Sequence, residues 1–459
     1  MAQTNHNILI ESPGDWKDYE IIDSGDGMKL ERFGDFILSR PEPKALWSKS
    51  LSDSEWRKMA HTVFHPGAGF GKAGKEDVGT WEMLKKMPDR WFIEYKGKDR
   101  RAEEWSAFRH GVSMARCIDG GQKTGDLLRG QKTGDLQMEQ KTGDLQMGQN
   151  SSNLLRGQRA GDLQTGQNSS NLLRGQNLGG LYMKMRLGLT SFKHVGVFPE
   201  QASNWEWIYA HTQMLCNSLY VGSLKANEVG GRNFGSDVVS QASGHFGKKN
   251  GISEKPKILN LFAYTGGASL AAKCAGAEVT HVDSVKQVVN WAKENMTSSG
   301  LDNIRWIVDD ALKFVKREIR RGNIYNGLIL DPPAYGHGPD GERWKLDELL
   351  FEMLEECSKI VSKEHSFVVL NLYSNGYSAL LADTLLKKAF GGGDPALLAD
   401  TLLKKAFGGG DSASEQNKSG MNVSLKDGVG REYTCGELVL EDKFRKVIPL
   451  SVFARMFTK

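Results

Sequence analysis

No stretch of the chain approaches the roughly 20 consecutive apolar residues of a membrane helix, so no membrane function is expected. Cysteine is scarce: Cys117, Cys216, Cys274, Cys357 and Cys435 stand far apart, with no CxxC pair. Such spacing offers neither a disulfide framework nor a zinc knuckle, and no metal is expected. The opening MAQTNHNILIESPGDW lacks a basic segment followed by an apolar one and is not Arg-rich, which leaves a cytoplasmic address as the default expectation. Excess charge is missing too. Sixty Lys and Arg against 56 Asp and Glu leave a net charge of +4, compatible with an RNA partner and weak evidence for one.

What is present points to several units, because 459 residues exceed what one core usually serves. Residues 1–117 are rich in Trp and Gly with short alternating segments, and read as a small β-rich domain. Residues 118–183 hold a nine-residue repeat (GQKTGDLLR, GQKTGDLQM, GQNSSNLLR) whose units carry too few apolar side chains to build a core. A disordered insertion is expected there; stacked β-turns or a weak RNA-contacting arm are the other readings. Residues 184–221 resume with a strand and a helical pattern, and 222–256 are rich in Gly, Ser and Lys and read as a linker or loop.

From 257 to 459 continuously apolar runs alternate with helical patterns: KILNLFAY, EVTHVD, IRWIVDD and GLILDPP. Apolar strands separated by helices predict a parallel sheet covered on both faces, an α/β Rossmann-like arrangement. Within it the segment ALLADTLLKKAFGGGD occurs twice, over 379–411, and GELVLED with KVIPLSVFARMF predicts an antiparallel terminal hairpin at the sheet edge.

The chemistry-bearing signals sit at strand ends. LNLFAYTGGASL reads strand, glycine turn, helix, where Gly266 and Gly267 would let backbone N–H groups approach a ligand. Asp283 ends the next strand and Asp310 the third; each could bind an adenosine, at ribose or adenine, or simply cap the following helix. A dinucleotide enzyme would show GxGxxG, which FAYTGGAS does not. In LILDPPAYG, Asp331 followed by Pro332 and Pro333 predicts a stiff corner, poor in donors, with carbonyls facing outward. Asp331 could accept a proton from a planar amine and Tyr335 could stack on its ring.

Together these segments make the chain, over about residues 190–459, resemble class I S-adenosylmethionine (SAM)-dependent methyltransferases. Most similar are large-subunit ribosomal RNA cytosine-5 and guanine-N7 methyltransferases. HVGVFPEQASNW resembles their TGxFxDQRxNR segment at Phe198, Gln201 and Asn204, with Ala202 and Trp205 in place of its arginines. The resemblance implies SAM as cofactor, bound by these three residues and by Phe262, Tyr264, Thr265, Gly266 and Gly267. It adds Asp283 with Ser284, Asp310 with Ala311, and Asp331. Catalysis would fall to Asp331, Pro332, Pro333 and Tyr335. The implied fold is a mostly parallel seven-stranded sheet with its terminal hairpin.

Cytosine-5 members resemble one another in an SCS segment after the fifth strand, where this chain reads NLYSNG. Without that cysteine, methylation of a ring nitrogen or exocyclic amine is expected in place of a covalent route. The leading expectation is a methyltransferase acting on a base of ribosomal RNA. A methyltransferase for small molecules or proteins, and a SAM-binding scaffold without activity, are the alternatives.

Overall fold

The computed structural model describes residues 7–14, 16–68, 78–97, 180–229, 255–373, 376–391, 425–426 and 430–459. The nine-residue repeats, the second copy of the duplicated segment and Cys117 lie outside them. No helix among the described residues is long and apolar enough to cross a membrane.

The amino-terminal region contributes β1 (Ile8–Glu11), β2 (Tyr19–Gly25), β3 (Met28–Phe33), β4 (Phe36–Pro41), α1 (Asp53–Met59), β5 (Thr62–Pro66), β6 (Gly79–Met83) and β7 (Arg90–Lys96). Strands β2 to β6 form a five-stranded sheet in sequence order, and β7 pairs antiparallel with β8 (Tyr182–Gly188) as a ribbon. On that ribbon Trp91, Ile93, Tyr95, Met183, Met185 and Leu187 alternate with more exposed residues and face inward.

Next comes helix α2 (Ala202–Val229), whose last eight residues fall where the composition suggested a linker. Leu224, Lys225, Ala226 and Glu228 are good helix formers and carry it past Gly222. Then follow β9 (Lys257–Leu261), α3 (Gly267–Cys274), β10 (Glu278–Asp283), α4 (Lys286–Ser298), β11 (Arg305–Val308), α5 (Ala311–Arg320) and β12 (Gly327–Leu330). A hairpin of β13 (Tyr335–His337) and β14 (Arg343–Lys345) leads into α6 (Leu346–Ser358), β15 (Ser366–Leu372), α7 (Ala379–Phe390), β16 (Leu425–Lys426), β17 (Arg431–Glu441) and β18 (Val447–Thr458).

The large sheet runs β1-β17-β18-β15-β12-β9-β10-β11, with β16 on β17. Its centre, β15-β12-β9-β10-β11, is parallel, as continuous apolar runs with helical crossovers require. Among the described residues it holds nine strands, where the resemblance implied seven. The hairpin β17–β18 is antiparallel as read, yet it is not the edge. Strand β1, expected in the small domain, lies parallel outside β17 and closes that side.

The β-rich region keeps a small cluster of its own around Ile22, Leu30, Trp56 and Ala60, but much of it shares the main core. Trp16, Tyr19, Phe33 and Tyr95 belong to the same buried cluster as Trp205, Ile208, Ile258 and Leu270. Trp16 packs edge-on against Tyr95 at 4.8 Å and Trp205 at 5.9 Å between ring centroids. Rings of this size dominate core energetics and tie the small sheet to the helix beside the cleft.

Candidate active site

Beyond the carboxyl end of β9 the chain must turn sharply into α3, and it does so in an uncommon conformation. Phe262, Tyr264 and Gly266 take left-handed φ of 55°, 48° and 92°. For a bulky aromatic residue this costs roughly 1–2 kcal/mol and persists only where the surroundings over-determine it. They do: Tyr264 N–H donates to Asp283 Oδ2 at 2.9 Å, Ala263 N–H to the Val282 carbonyl, Thr265 Oγ1 to the Gly196 carbonyl at 2.7 Å, and Asn295 Nδ2 to the Thr265 carbonyl. Gly267 answers a different demand. A Cβ there would stand 2.7 Å from the buried Trp205 ring, so the absent side chain makes room for the indole that occupies an arginine position of the resembling family.

The diproline corner stands directly beside this bend. Strands β9 and β12 are parallel neighbours with Leu261 opposite Leu330, so both turns leave the same edge of the sheet. The chain order reverses between them, where open α/β sheets form their ligand crevice. The cleft between encloses about 560 Å³, solvent-side space included. Phe198, Gln201, Asn204, Phe262, Tyr264, Thr265, Gly266, Gly267 and Asp331 all line it.

The other predicted positions do not line this wall. Asp283 spends one oxygen on Tyr264 N–H and the other on Val285 N–H, and burial raises its carboxyl above the usual range. Asp310 is the N-cap of α5, accepting from Lys313 N–H at 2.8 Å, and Ala311 packs into the core; Ser284 simply follows Asp283. Pro332 is buried, while Pro333 and Tyr335 are exposed. The outward carbonyls expected of the corner are in part spent: Trp344 Nε1 donates to the Pro333 carbonyl at 2.7 Å, and Leu346 N–H to that of Ala334. The Asp331 carboxyl is therefore the acceptor group that matters here.

Its setting came as no sequence motif. Asn371 Nδ2 donates to Asp331 Oδ1 at 2.9 Å, and Gln201 Nε2 reaches Oδ2 at 3.5 Å and Tyr373 Oη at 2.9 Å. Asn204 Nδ2 donates to Gln201 Oε1, while Arg455 Nε and Nη2 both donate to Asn204 Oδ1. Arg455, 2% exposed, also makes a two-pronged pair with Glu11 at 2.8 Å on each arm. Burial pushes the Asp331 carboxyl up to about 7; the Asn371 bond opposes this and the nearby Glu200 charge adds to it. Glu200, itself buried and raised by burial, bonds to Tyr373. The ring of Phe198 stands 5.5 Å from that of Tyr264 and 5.1 Å from that of Tyr373, between centroids.

Asn371, Tyr373, Glu200, Arg455 and Glu11 went unread in the sequence. The signal available was polarity out of place: an Asn inside SFVVLNLY and an Arg inside LSVFARMF, where a buried charge is seldom found unless paired. None of the described cysteines lines the cleft. Burial pushes Cys216, Cys274 and Cys435 up to about 11 and Cys357 higher still.

No family model matches the chain. It is similar to a crystal structure described as the SAM-dependent methyltransferase from Agrobacterium tumefaciens, with 25% identity, 100% of this chain and 98% of that one covered, and a TM-score of 0.58. A ribosomal RNA large subunit methyltransferase K/L of Shewanella frigidimarina is 34% identical over 127 residues, 26% of this chain and 18% of its own length. A putative ribosomal RNA large subunit methyltransferase of Methanocaldococcus jannaschii is 37% identical over 86 residues, 18% of this chain and 22% of its own. The chain thus spans under a quarter of the length of these curated relatives. It carries the Rossmann-like fold of SAM-dependent methyltransferases and resembles the large-subunit ribosomal RNA group in part of its length.

Proposed function

We propose that the chain transfers a methyl group from SAM to a nitrogen of a base in ribosomal RNA. The observation that carries this reading is the Asp331 carboxyl, raised to about 7, next to the glycine bend at one sheet edge. The cleft suits SAM: a strained bend and a helix start, the amides of Gln201, Asn204 and Asn371, and the rings of Phe198, Phe262 and Tyr264 line it. Neither Lys nor Arg is among its lining residues, so amides and backbone N–H groups would receive a charged amino-acid head. Asp283, on the neighbouring strand, keeps a second lone pair on each of its engaged oxygens, and these would receive ribose hydroxyls.

Bound there, SAM supplies an electrophilic methyl on a sulfonium, whose carbon–sulfur bond breaks with its electron pair left on sulfur. The residues must aim a nitrogen lone pair at that carbon. Asp331 as carboxylate accepts an N–H of the incoming amine, fixing its plane, and takes the proton released as the new nitrogen–carbon bond forms. Asn371 and Gln201 hold the carboxylate, and Tyr335 offers a ring to a base of the RNA near the extruded one. The similarity to ribosomal RNA methyltransferases supports the substrate class.

Tritiated SAM incubated with the protein and separated RNA, protein and metabolite fractions should label RNA. Mass spectrometry of the nucleosides should find an N-methylated base. Label confined to protein or metabolites would remove the RNA assignment. Two further outcomes concern cysteine. Iodoacetamide at pH 7.5 should leave methyl transfer unchanged, because the thiols of the described cysteines are held near 11 or higher and are scarcely ionised. RNA carrying 5-fluorocytosine should leave no covalent adduct; a trapped adduct would restore the covalent route.

A further inference from the structure

The diproline corner continues without a break into the β13–β14 hairpin, whose pairing is Tyr335 with Lys345, Gly336 with Trp344 and His337 with Arg343. Side chains alternate between the faces of a strand. Trp344 turns inward: it is 4% exposed, donates to the Pro333 carbonyl and packs against Phe262 at 4.7 Å between centroids. By the same alternation Tyr335, Lys345, His337 and Arg343 share the outer face. Tyr335, His337 and Arg343 are exposed there, and Lys345 half-buried.

This face carries an aromatic ring, an imidazole and two cations in two cross-strand pairs, starting four residues from Asp331. The second pair lies about 7 Å beyond the first along the strands. The acids nearest the tip are already engaged, since Lys313 pairs with Glu342 and approaches Asp340 at 3.9 Å. Lys345 reaches Glu348 at 2.5 Å, which leaves Arg343 as the principal charge facing a partner.

We infer that this hairpin face is the docking strip for a single-stranded RNA segment flanking the base offered to Asp331. Arg343, Lys345 and His337 lie along its phosphates, and Tyr335 stacks on a base. The inference rests on the RNA methyltransferase reading. Charge complementarity selects a polyanion, and the exposed ring beside cations selects unpaired bases, since stacking platforms with basic neighbours hold single strands and duplexes hide their base faces. A base is presented at a sheet edge with the least unstacking and unpairing cost when its strand is already single.

The test uses the full chain with a fluorescent 12-nucleotide single-stranded RNA and its duplex, read by anisotropy across a salt series. Arg343→Gln/Lys345→Gln and His337→Gln are compared with the unaltered protein, with SAM binding as the control for folding. The double variant should bind the single strand about ten-fold or more weaker at low salt, its log–log salt slope shallower by about 0.7 for each cation removed. Its KM for RNA should rise with kcat retained, and SAM affinity should stay within about two-fold. If the unaltered protein methylates RNA while the variants match its affinity and salt slope, the docking strip falls and the methyl-transfer assignment stands. A duplex bound as tightly as the single strand also overturns the strip. Failure of the unaltered protein to label RNA, or label appearing in polypeptide, overturns both.

Discussion

Asp331→Asn should lower the rate of methyl transfer by roughly 10²- to 10⁴-fold, the range of a lost acid–base partner, while SAM binding is nearly retained. The amide keeps the shape and the bond from Asn371 can re-form through its oxygen, but no proton can be taken. In the unaltered protein kcat/KM should climb with unit slope up to about pH 7 and level off above it, because the carboxylate is the competent form. Asn371→Leu removes the donor that favours that form, so the rising limb should move to higher pH. A flat pH profile, or an Asn variant with full turnover, would remove Asp331 from the chemistry.

The same group makes a stability statement whose sign distinguishes a functional from a structural carboxyl. Its folded-state value of about 7 lies above the ordinary 3.8, so folding favours the protonated form. Its contribution is favourable below about pH 4 and is lost as pH rises to 7. Asp331→Asn should therefore be at least as stable as the unaltered protein at pH 8, measured by urea unfolding. An inactive variant that is also less stable at pH 8 would point to a structural role.

Glu11→Ala is expected to have the largest effect on folding. Arg455 is buried in the strand beside β15, and Glu11 supplies both acceptors for one side of its guanidinium. Removing that partner leaves a buried charge with Asn204 as its remaining described acceptor, at a cost of about 3–5 kcal/mol. Arg455→Met should be milder in stability, because Glu11 is partly exposed and water can reach it. It should nonetheless slow turnover, since Asn204 loses its anchor and with it the hold on Gln201 and Asn371. The double variant should cost far less than the sum of the two, which urea unfolding of all four proteins would reveal. Additive losses would show that the pair does not act as a unit.

Much of the site was legible because it is local. The order strand, bend, helix in LNLFAYTGGASL is announced by residues a few places apart, as is the stiff turn of LILDPPAYG, while the conformation of the bend is held by Gly196, Asp283 and Asn295. Periodicity likewise announced the parallel strands and the terminal hairpin. Asp310 shows the limit of such reading: ligand and cap were equally open, and the carboxylate caps α5.

The amino-acid sequence by itself determined the elements, their apolar faces and the acid at the diproline corner, since these follow from short-range sterics and side-chain alternation. Tertiary structure alone decided that β1 would flank β17, that Glu11 would meet Arg455, and that Gln201 and Asn371 would converge on Asp331. Those partners lie from 40 to 444 residues apart. A polar residue inside an apolar strand declares that it needs a partner, but sheet order and register choose which one.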